Sequence, residues 1–108
     1  MNNINSTKLH KADFNKIYYY GKFIATRYVK LNFIFNNKDH MRVAFAIKRN
    51  QANSVERNKI RRRIKSIVST LEDRPNIDIL IQIKPVIKNA RFIDIKNDLK
   101  LAISSIAS

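Results

Sequence analysis

The chain has 108 residues, of which 44% are hydrophobic, and these values fit one small domain over residues 1–108, with residues 1–8 expected to form a flexible tail. The formal net charge of +14 is far beyond what solubility requires, so the sequence predicts an acidic partner, either nucleic acid or an anionic membrane surface. Cysteine is absent and no apolar run approaches the roughly 20 residues of a membrane span, which excludes disulfides, thiolate zinc sites and a transmembrane helix and favours the cytoplasm.

A short helix is predicted over residues 11–20. Phe14, Ile17 and Tyr18 lie at helical spacing, and Gly21, the only glycine in the chain, is expected to end the helix with a positive φ. Two interpretations of Phe14 and Tyr18 stay open. The spacing alone favours core residues that close onto a sheet, and the alternative is stacking on single-stranded bases.

Strands are predicted between positions 23 and 47. Residues 29–35 alternate between apolar and other side chains, which is typical of a strand with one face in the core, and a further short strand is expected near residues 23–25. The turn-forming residues 36–40 predict that the next strand, residues 41–47, pairs with residues 29–35 as a hairpin.

A strongly basic helix follows. Asn53 and Glu56 resemble a capping box, so this helix is predicted to begin at Ser54 and to run to about Leu71. An apolar stripe at helical spacing predicts the side that packs on the core, with the members Ile60, Ile64, Ile67, Val68 and Leu71. Basic side chains fill most of the remaining positions, and like charges on one helix repel unless a polyanion neutralises them.

The basic residues extend beyond this helix. One acid and nine basic residues lie between positions 42 and 65, the basic ones being Arg42, Lys48, Arg49, Arg57, Lys59, Arg61, Arg62, Arg63 and Lys65. A charge run alone is often only a solvated face. This density, together with the bidentate grip of arginine on phosphate oxygens, favours nucleic-acid binding.

The C-terminal third of the chain is predicted to contain one strand and one helix. Residues 72–76 break the basic helix, and the isoleucines at 77, 79, 81 and 83 then predict a core strand that ends at Pro85. Apolar residues at helical spacing from Phe92 to Ile106 predict a last amphipathic helix.

No set of side chains suited to catalysis is visible in the sequence. His10 and His40 lie in a polar tail and a turn, where solvated histidines are a better interpretation than a metal pair. Asp94 and Asp98 lie four residues apart on the polar face of the last helix, where solvation is favoured over a shared divalent ion. The protein is therefore expected to bind its partner and not to catalyse through its own side chains.

Four segments in the same order resemble the protein subunit of bacterial ribonuclease P, over roughly residues 9–104. They are Arg57-Asn58-Lys59-Ile60-Arg61-Arg62 with Lys65, Phe14-Asn15-Lys16-Ile17-Tyr18 with Gly21, Arg42-Val43, and Asp78-Ile79-Leu80-Ile81 with Lys84-Pro85. The resemblance implies an α+β fold, an α/β sandwich with a mostly antiparallel four-stranded sheet, the order αβββαβα and a left-handed βαβ crossover. Most such crossovers are right-handed.

The resemblance also implies a function and a set of site residues. The catalyst would be the RNA subunit, whose bound Mg²⁺ drives endonucleolytic removal of the 5′ leader of precursor transfer RNA, and no protein partner would be required. The residues implied to contact the catalytic RNA are Arg49, Arg57, Asn58, Lys59, Arg61, Arg62 and Lys65. Those implied to bind the leader are Phe14, Tyr18, Asn32 and Ala46.

The chain departs from the family pattern at several of these positions. Asn32 stands where the family often has an aromatic residue that faces the leader, and Ala46 replaces a frequent serine. Arg61 and Lys65 exchange the usual lysine and arginine. The loop before the basic helix has Arg49-Asn50 and Ala52 where two lysines and a glycine are usual. Leader stacking is therefore expected to be weaker here or differently built.

Two other functions fit a basic surface. A general RNA-binding or ribosome-assembly protein would show the same steep salt dependence without a role in cleavage. A membrane-surface protein would need an exposed apolar face, for which the core of one small domain leaves little room. No membrane contact is therefore expected.

Overall fold

The computed structural model describes residues 9, 11–47, 53–72 and 74–107. In chain order its elements are α1 (Lys11–Tyr20), β1 (Lys22–Ala25), β2 (Val29–Phe35), β3 (Arg42–Ala46), α2 (Ser54–Thr70), β4 (Ile77–Ile83), a 3₁₀ helix (Pro85–Asn89) and α3 (Phe92–Ala107). This order confirms the predicted α+β class. The predicted tail at residues 1–8, His10 and Arg49 lie outside the described residues.

The four strands form one mixed sheet in the order β1-β2-β4-β3. β2 pairs antiparallel with β1 and with β4, whereas β3 and β4 are parallel. The predicted hairpin of β2 and β3 is wrong, because β4 lies between them. The reason is burial: Ile79 and Leu80 point to opposite faces of β4 and both are buried, so this strand must occupy the centre of the sheet.

The connection from β3 through α2 to β4 is the parallel crossover that the resemblance implies. Its left-handedness stays a prediction. The end of β3 lies close to the first turns of α2, because Ile47 and Ile60 line the same small cavity together with Ile83.

One sheet face packs against α2 and α3 and holds the main core. Ile64, Ile67 and Val68 of α2 are buried there, which confirms the centre of the predicted stripe, while Ile60 and Leu71 at its ends are only partly buried. The apolar stripe of α3 begins at Ile95, since Phe92 at the first position is 44% exposed.

The opposite sheet face carries α1, which contacts β2 and β4. Ile17 is the buried residue of this helix, at 1% exposure. The expected positive φ at Gly21 is wrong, since no described glycine has one. Glycine is required here because the backbone at this position passes close to α1 and β2. A Cβ on Gly21 would lie 2.4 Å from the carbonyl oxygen of Ile17 and 2.5 Å from that of Phe33.

A buried ion pair joins β3 and β4 on the α1 side of the sheet. Arg42 donates from Nε to Oδ1 of Asp78 at 2.7 Å and from Nη2 to Oδ2 of the same carboxylate. Asp13 of α1 accepts a further bond from Arg42 at 3.3 Å, and Asn36 donates to Asp78 at 2.9 Å. The hydrogen bond to Asp78 raises the pKa of Arg42 above its ordinary value. Arg42 is therefore a structural cation, and of the nine basic residues counted between positions 42 and 65 its charge is neutralised within the fold.

Candidate nucleic-acid interface

The start of α2 is fixed by the predicted capping box. The side chain of Asn53 accepts from the backbone N–H of Glu56 at 2.8 Å, and Oε1 of Glu56 accepts from the backbone N–H of Asn53 at 3.2 Å. These two bonds satisfy helix N–H groups that would otherwise lack partners. The apolar stripe then sets the rotation of the helix, so that its basic side chains face away from the core.

The outward side of α2, from Arg57 to Lys65, forms a basic face. Its most exposed members, whose side chains extend into solvent, are Asn58, Lys59, Arg61, Arg62 and Arg63, while Arg57 and Lys65 are half-buried at its border. Arg61 donates to Oδ1 of Asn58 at 3.2 Å, which holds the guanidinium along the helix surface. Within the described part of the chain, Lys59, Arg62, Arg63 and Lys65 form no ion pair.

Unneutralised cations at this density create a field that attracts a polyanion. The arginines add geometry, because a guanidinium can donate two parallel hydrogen bonds to one phosphate group. The structure thus brings together six of the seven residues expected to contact the catalytic RNA, and the seventh, Arg49, lies outside the described residues.

The sheet face that carries α1 is partly exposed, and we term its exposed part, which includes Ala25, Lys30, Gln82 and Ala46, the open face. The residues expected to bind a leader lie on α1 and on this side of the sheet. Phe14 and Tyr18 lie four residues apart on one flank of α1, with Phe14 half-buried and Tyr18 57% exposed. The core interpretation of Tyr18 is therefore wrong, and that of Phe14 holds only in part. Ala46, at the end of β3, is exposed on the same sheet face.

Asn32 differs from the other expected leader residues because it is almost inaccessible. It is 8% exposed, and its Oδ1 accepts a hydrogen bond from Nε2 of Gln82 on the neighbouring strand. Its polar group is thus satisfied within the sheet. The structure gives Asn32 no exposed surface on which a base could stack.

Two residues of the open face were missed by the sequence reasoning. Phe23 of β1 is 62% exposed, and Nζ of Lys30 lies 4.7 Å from the centroid of its ring. The sequence showed Phe23 only as a β-forming residue. The signal that could have found it is the alternation within β1, which places Phe23 and Ala25 together on one face.

Acidic side chains are the groups that would ligate Mg²⁺ in a protein, and the described residues contain several of them. They contain no cluster of three His, Asp or Glu side chains that could hold a metal ion. Asp94 accepts from Nε of Arg91 at 3.1 Å, and Asp78 is held by Arg42, so neither carboxylate is free to ligate. Over the same residues, no helix is long and apolar enough to cross a membrane.

Comparisons with known proteins agree on one family. A family model for ribonuclease P matches residues 5–107. The ribonuclease P protein component of Clostridioides difficile (strain 630) is 31% identical over 92 residues, which cover 82% of this chain and 81% of that protein. Among solved structures, the RNase P protein of Staphylococcus aureus matches with a TM-score of 0.78 at 28% identity and covers 93% of each chain. The RNase P protein of Thermotoga maritima, at 21% identity, shares the fold with a TM-score of 0.77 over 90% of this chain and 94% of that one.

Proposed function

This chain belongs to the ribonuclease P protein family and is the protein subunit of ribonuclease P in transfer RNA processing, and we propose that it binds the catalytic RNA through α2 and the 5′ leader of precursor transfer RNA through the open face. The observation that carries this proposal is the basic face of α2, where Lys59, Arg62 and Arg63 are exposed and form no ion pair within the described part of the chain.

Assembly with the catalytic RNA is assigned to seven residues, namely Arg49, Arg57, Asn58, Lys59, Arg61, Arg62 and Lys65. Their contribution is electrostatic, since each phosphate contact releases condensed counterions from the RNA. The apolar stripe of α2 is anchored in the core, so the cations are presented in one fixed orientation. A preorganised array of this kind loses little conformational entropy when the RNA binds.

Leader binding is assigned to Phe14 and Tyr18 of α1 and to Ala46 at the end of β3, all of which are at least partly exposed. The two aromatic rings offer stacking surfaces for unpaired bases, and the small Ala46 lets the strand approach the sheet. Stacking does not require a particular base, which suits a subunit that must accept many precursors. Asn32 keeps a supporting role, because its hydrogen bond with Gln82 links the side chains of β2 and β4 on the open face.

Hydrolysis is assigned to the RNA subunit. Mg²⁺ held mainly by that RNA would supply the charge stabilisation that phosphoryl chemistry needs. The protein would hold substrate and ribozyme in a fixed relation, which lowers the entropic part of the barrier. We assign the same protein to the cytoplasm, where precursor transfer RNA is transcribed in bacteria.

Reconstitution with the cognate catalytic RNA tests this function. At low magnesium, adding the protein should accelerate removal of the 5′ leader, because the protein then supplies positive charge that the metal otherwise provides. A general RNA-binding protein would bind with the same salt dependence but leave the cleavage rate unchanged, and that outcome would overturn the proposal.

A second measurement distinguishes leader binding at the open face from RNA binding at the basic face of α2. Phe14→Ala should weaken binding of substrates that carry a leader and should leave leader-free transfer RNA unaffected. Equal losses for both RNAs would show that Phe14 acts only through the fold.

A further inference from the structure

Phe23 is a large apolar side chain that the core does not use. It is 62% exposed and stands on β1, the edge strand of the sheet. We propose that Phe23, together with Lys30, forms a stacking site for one unpaired nucleotide of the RNA that crosses the open face. This inference rests on the proposed function, since it takes the leader to be the single strand that lies there.

Strand register puts Phe23 on the open face. Phe23 pairs directly with Asn32, Asn32 with Leu80, and Leu80 with Ala44, so these four residues form one row across the sheet. Directly paired residues point to the same face, with Cβ atoms about 5 Å apart. The next row is Ala25, Lys30, Gln82 and Ala46. It ends at Ala46, the last residue of β3.

Phe23 provides the aromatic surface that the middle of this face lacks. Its row neighbour Asn32 is 8% exposed and is engaged by Gln82, and Leu80 is 3% exposed beneath α1. The exposed ring of Phe23 lies only one strand away from Asn32. A base arriving over the middle of the open face would therefore find its stacking partner at position 23 and not at position 32.

Lys30 supports the ring and adds charge. Its ammonium lies 4.7 Å from the ring centroid, which is within the range of a cation–π contact. Such a contact limits the rotation of an exposed ring and so reduces the entropy lost on stacking. The same ammonium can meet the phosphate that joins two bases, while the ring takes one base. Proteins bind single-stranded nucleic acid through aromatic rings that stack on the bases and nearby cations that contact the phosphates.

An alternative occupant of this edge is a second copy of the chain, joined through β1. Charge argues against it, because Lys30 lies beside the exposed ring, β1 also carries Lys22, and the net charge is +14. Two such edges would repel each other, whereas a polyanion would be attracted.

Tryptophan fluorescence tests the site directly, since the chain contains no tryptophan. Phe23→Trp should fold normally and should be quenched when precursor RNA with a leader is added to the holoenzyme. Leader-free transfer RNA should leave the signal unchanged. Phe35→Trp is the matched control, because Phe35 is 61% exposed but lies at an odd position of β2, on the other sheet face. Quenching of both variants, or of neither, would overturn the inference.

Affinity measurements provide an independent arm. Phe23→Ala should weaken the binding of leader-bearing RNA by roughly 5- to 150-fold and should leave leader-free RNA unaffected, whereas Phe35→Ala should change neither.

The outcomes distinguish this inference from the function on which it rests. If a leader adds no affinity to the unaltered protein, leader binding itself fails. If a leader adds affinity that Phe14→Ala removes and Phe23→Ala keeps, only the site at Phe23 fails. A change in sedimentation coefficient for Phe23→Ala would show that the residue mediates self-association and would also overturn the site.

Discussion

Some residues have roles that cannot be predicted from the sequence, because those roles depend on contacts with distant residues. Arg42 is one of the nine basic residues counted between positions 42 and 65, a density that favoured nucleic-acid binding. The structure buries it at 9% exposure against Asp78, a residue 36 positions away in the sequence. Charge can be read locally, but its neutralisation depends on contacts between distant strands. The same limit concealed Phe23, whose importance depends on its register with Asn32.

The Arg42–Asp78 pair should contribute strongly to stability. Asp78→Asn would remove the negative charge and one of the two acceptor oxygens opposite the buried guanidinium, and breaking a buried ion pair costs about 3–5 kcal/mol. Urea unfolding followed by circular dichroism should show this loss in the free energy of unfolding. Asp94→Asn is the matched control, because its partner Arg91 is exposed and surface pairs contribute about 0–1 kcal/mol. Equal effects of the two variants would contradict the structural role of the pair.

Arg62 should act through RNA assembly and not through stability. Arg62→Ala removes an exposed cation of the basic face, and one lost charge-assisted bond should weaken binding to the catalytic RNA about tenfold for every substrate. The slope of log affinity against log salt should decrease by about 0.7–0.9. Filter binding over a range of potassium chloride measures both quantities. Arg91→Ala, at an exposed arginine directly before α3, should change neither, and a similar loss there would indicate nonspecific charge effects.

Elements were predictable where their determinants are local. The start of α2 followed from Asn53 and Glu56, three residues apart, and its buried side followed from the spacing of Ile64, Ile67 and Val68. The order of the strands in the sheet depends on segments that are far apart in the sequence. The turn at residues 36–40 looked like a hairpin, yet β4 lies between β2 and β3 because both of its faces are buried. Periodicity shows which face of a strand is buried, but it does not identify the neighbouring strand.

The junction between α1 and the sheet depends on Gly21. Gly21→Ala places a methyl group within 2.5 Å of two backbone oxygens, which cannot move as side chains do. We expect a loss of about 1–3 kcal/mol in the free energy of unfolding, together with displacement of α1. Since Phe14 and Tyr18 are carried by α1, affinity for leader-bearing RNA should decrease while affinity for the catalytic RNA is kept.

Lys22→Ala is the control for that junction, because it alters an exposed neighbour and should change stability by no more than about 0.5 kcal/mol. Unchanged stability in Gly21→Ala would show that the close approach of α1 to β2 is not required.

At the scale of the whole molecule, two surfaces divide the proposed work. The helix α2 packs on one side of the sheet and the open face lies on the other, and the end of β3 lies close to α2, where Ile47 and Ile60 line one cavity. The number of cations was evident from the sequence, but their division between an RNA surface and a structural pair required the fold.

Net charge should also couple folding to anions. A charge of +14 on 108 residues makes the compact state repel itself, and an anion that binds only the folded protein stabilises it by about 2.7 kcal/mol at one hundred times its dissociation constant. Helical ellipticity and the urea midpoint should therefore increase with sulfate, and they should increase less with sodium chloride at equal ionic strength. The double variant Arg62→Ala with Arg63→Ala should flatten the sulfate response, because it removes two of the exposed cations where an anion would bind. Identical responses to both salts would mean that general screening, and not anion binding at α2, relieves the repulsion.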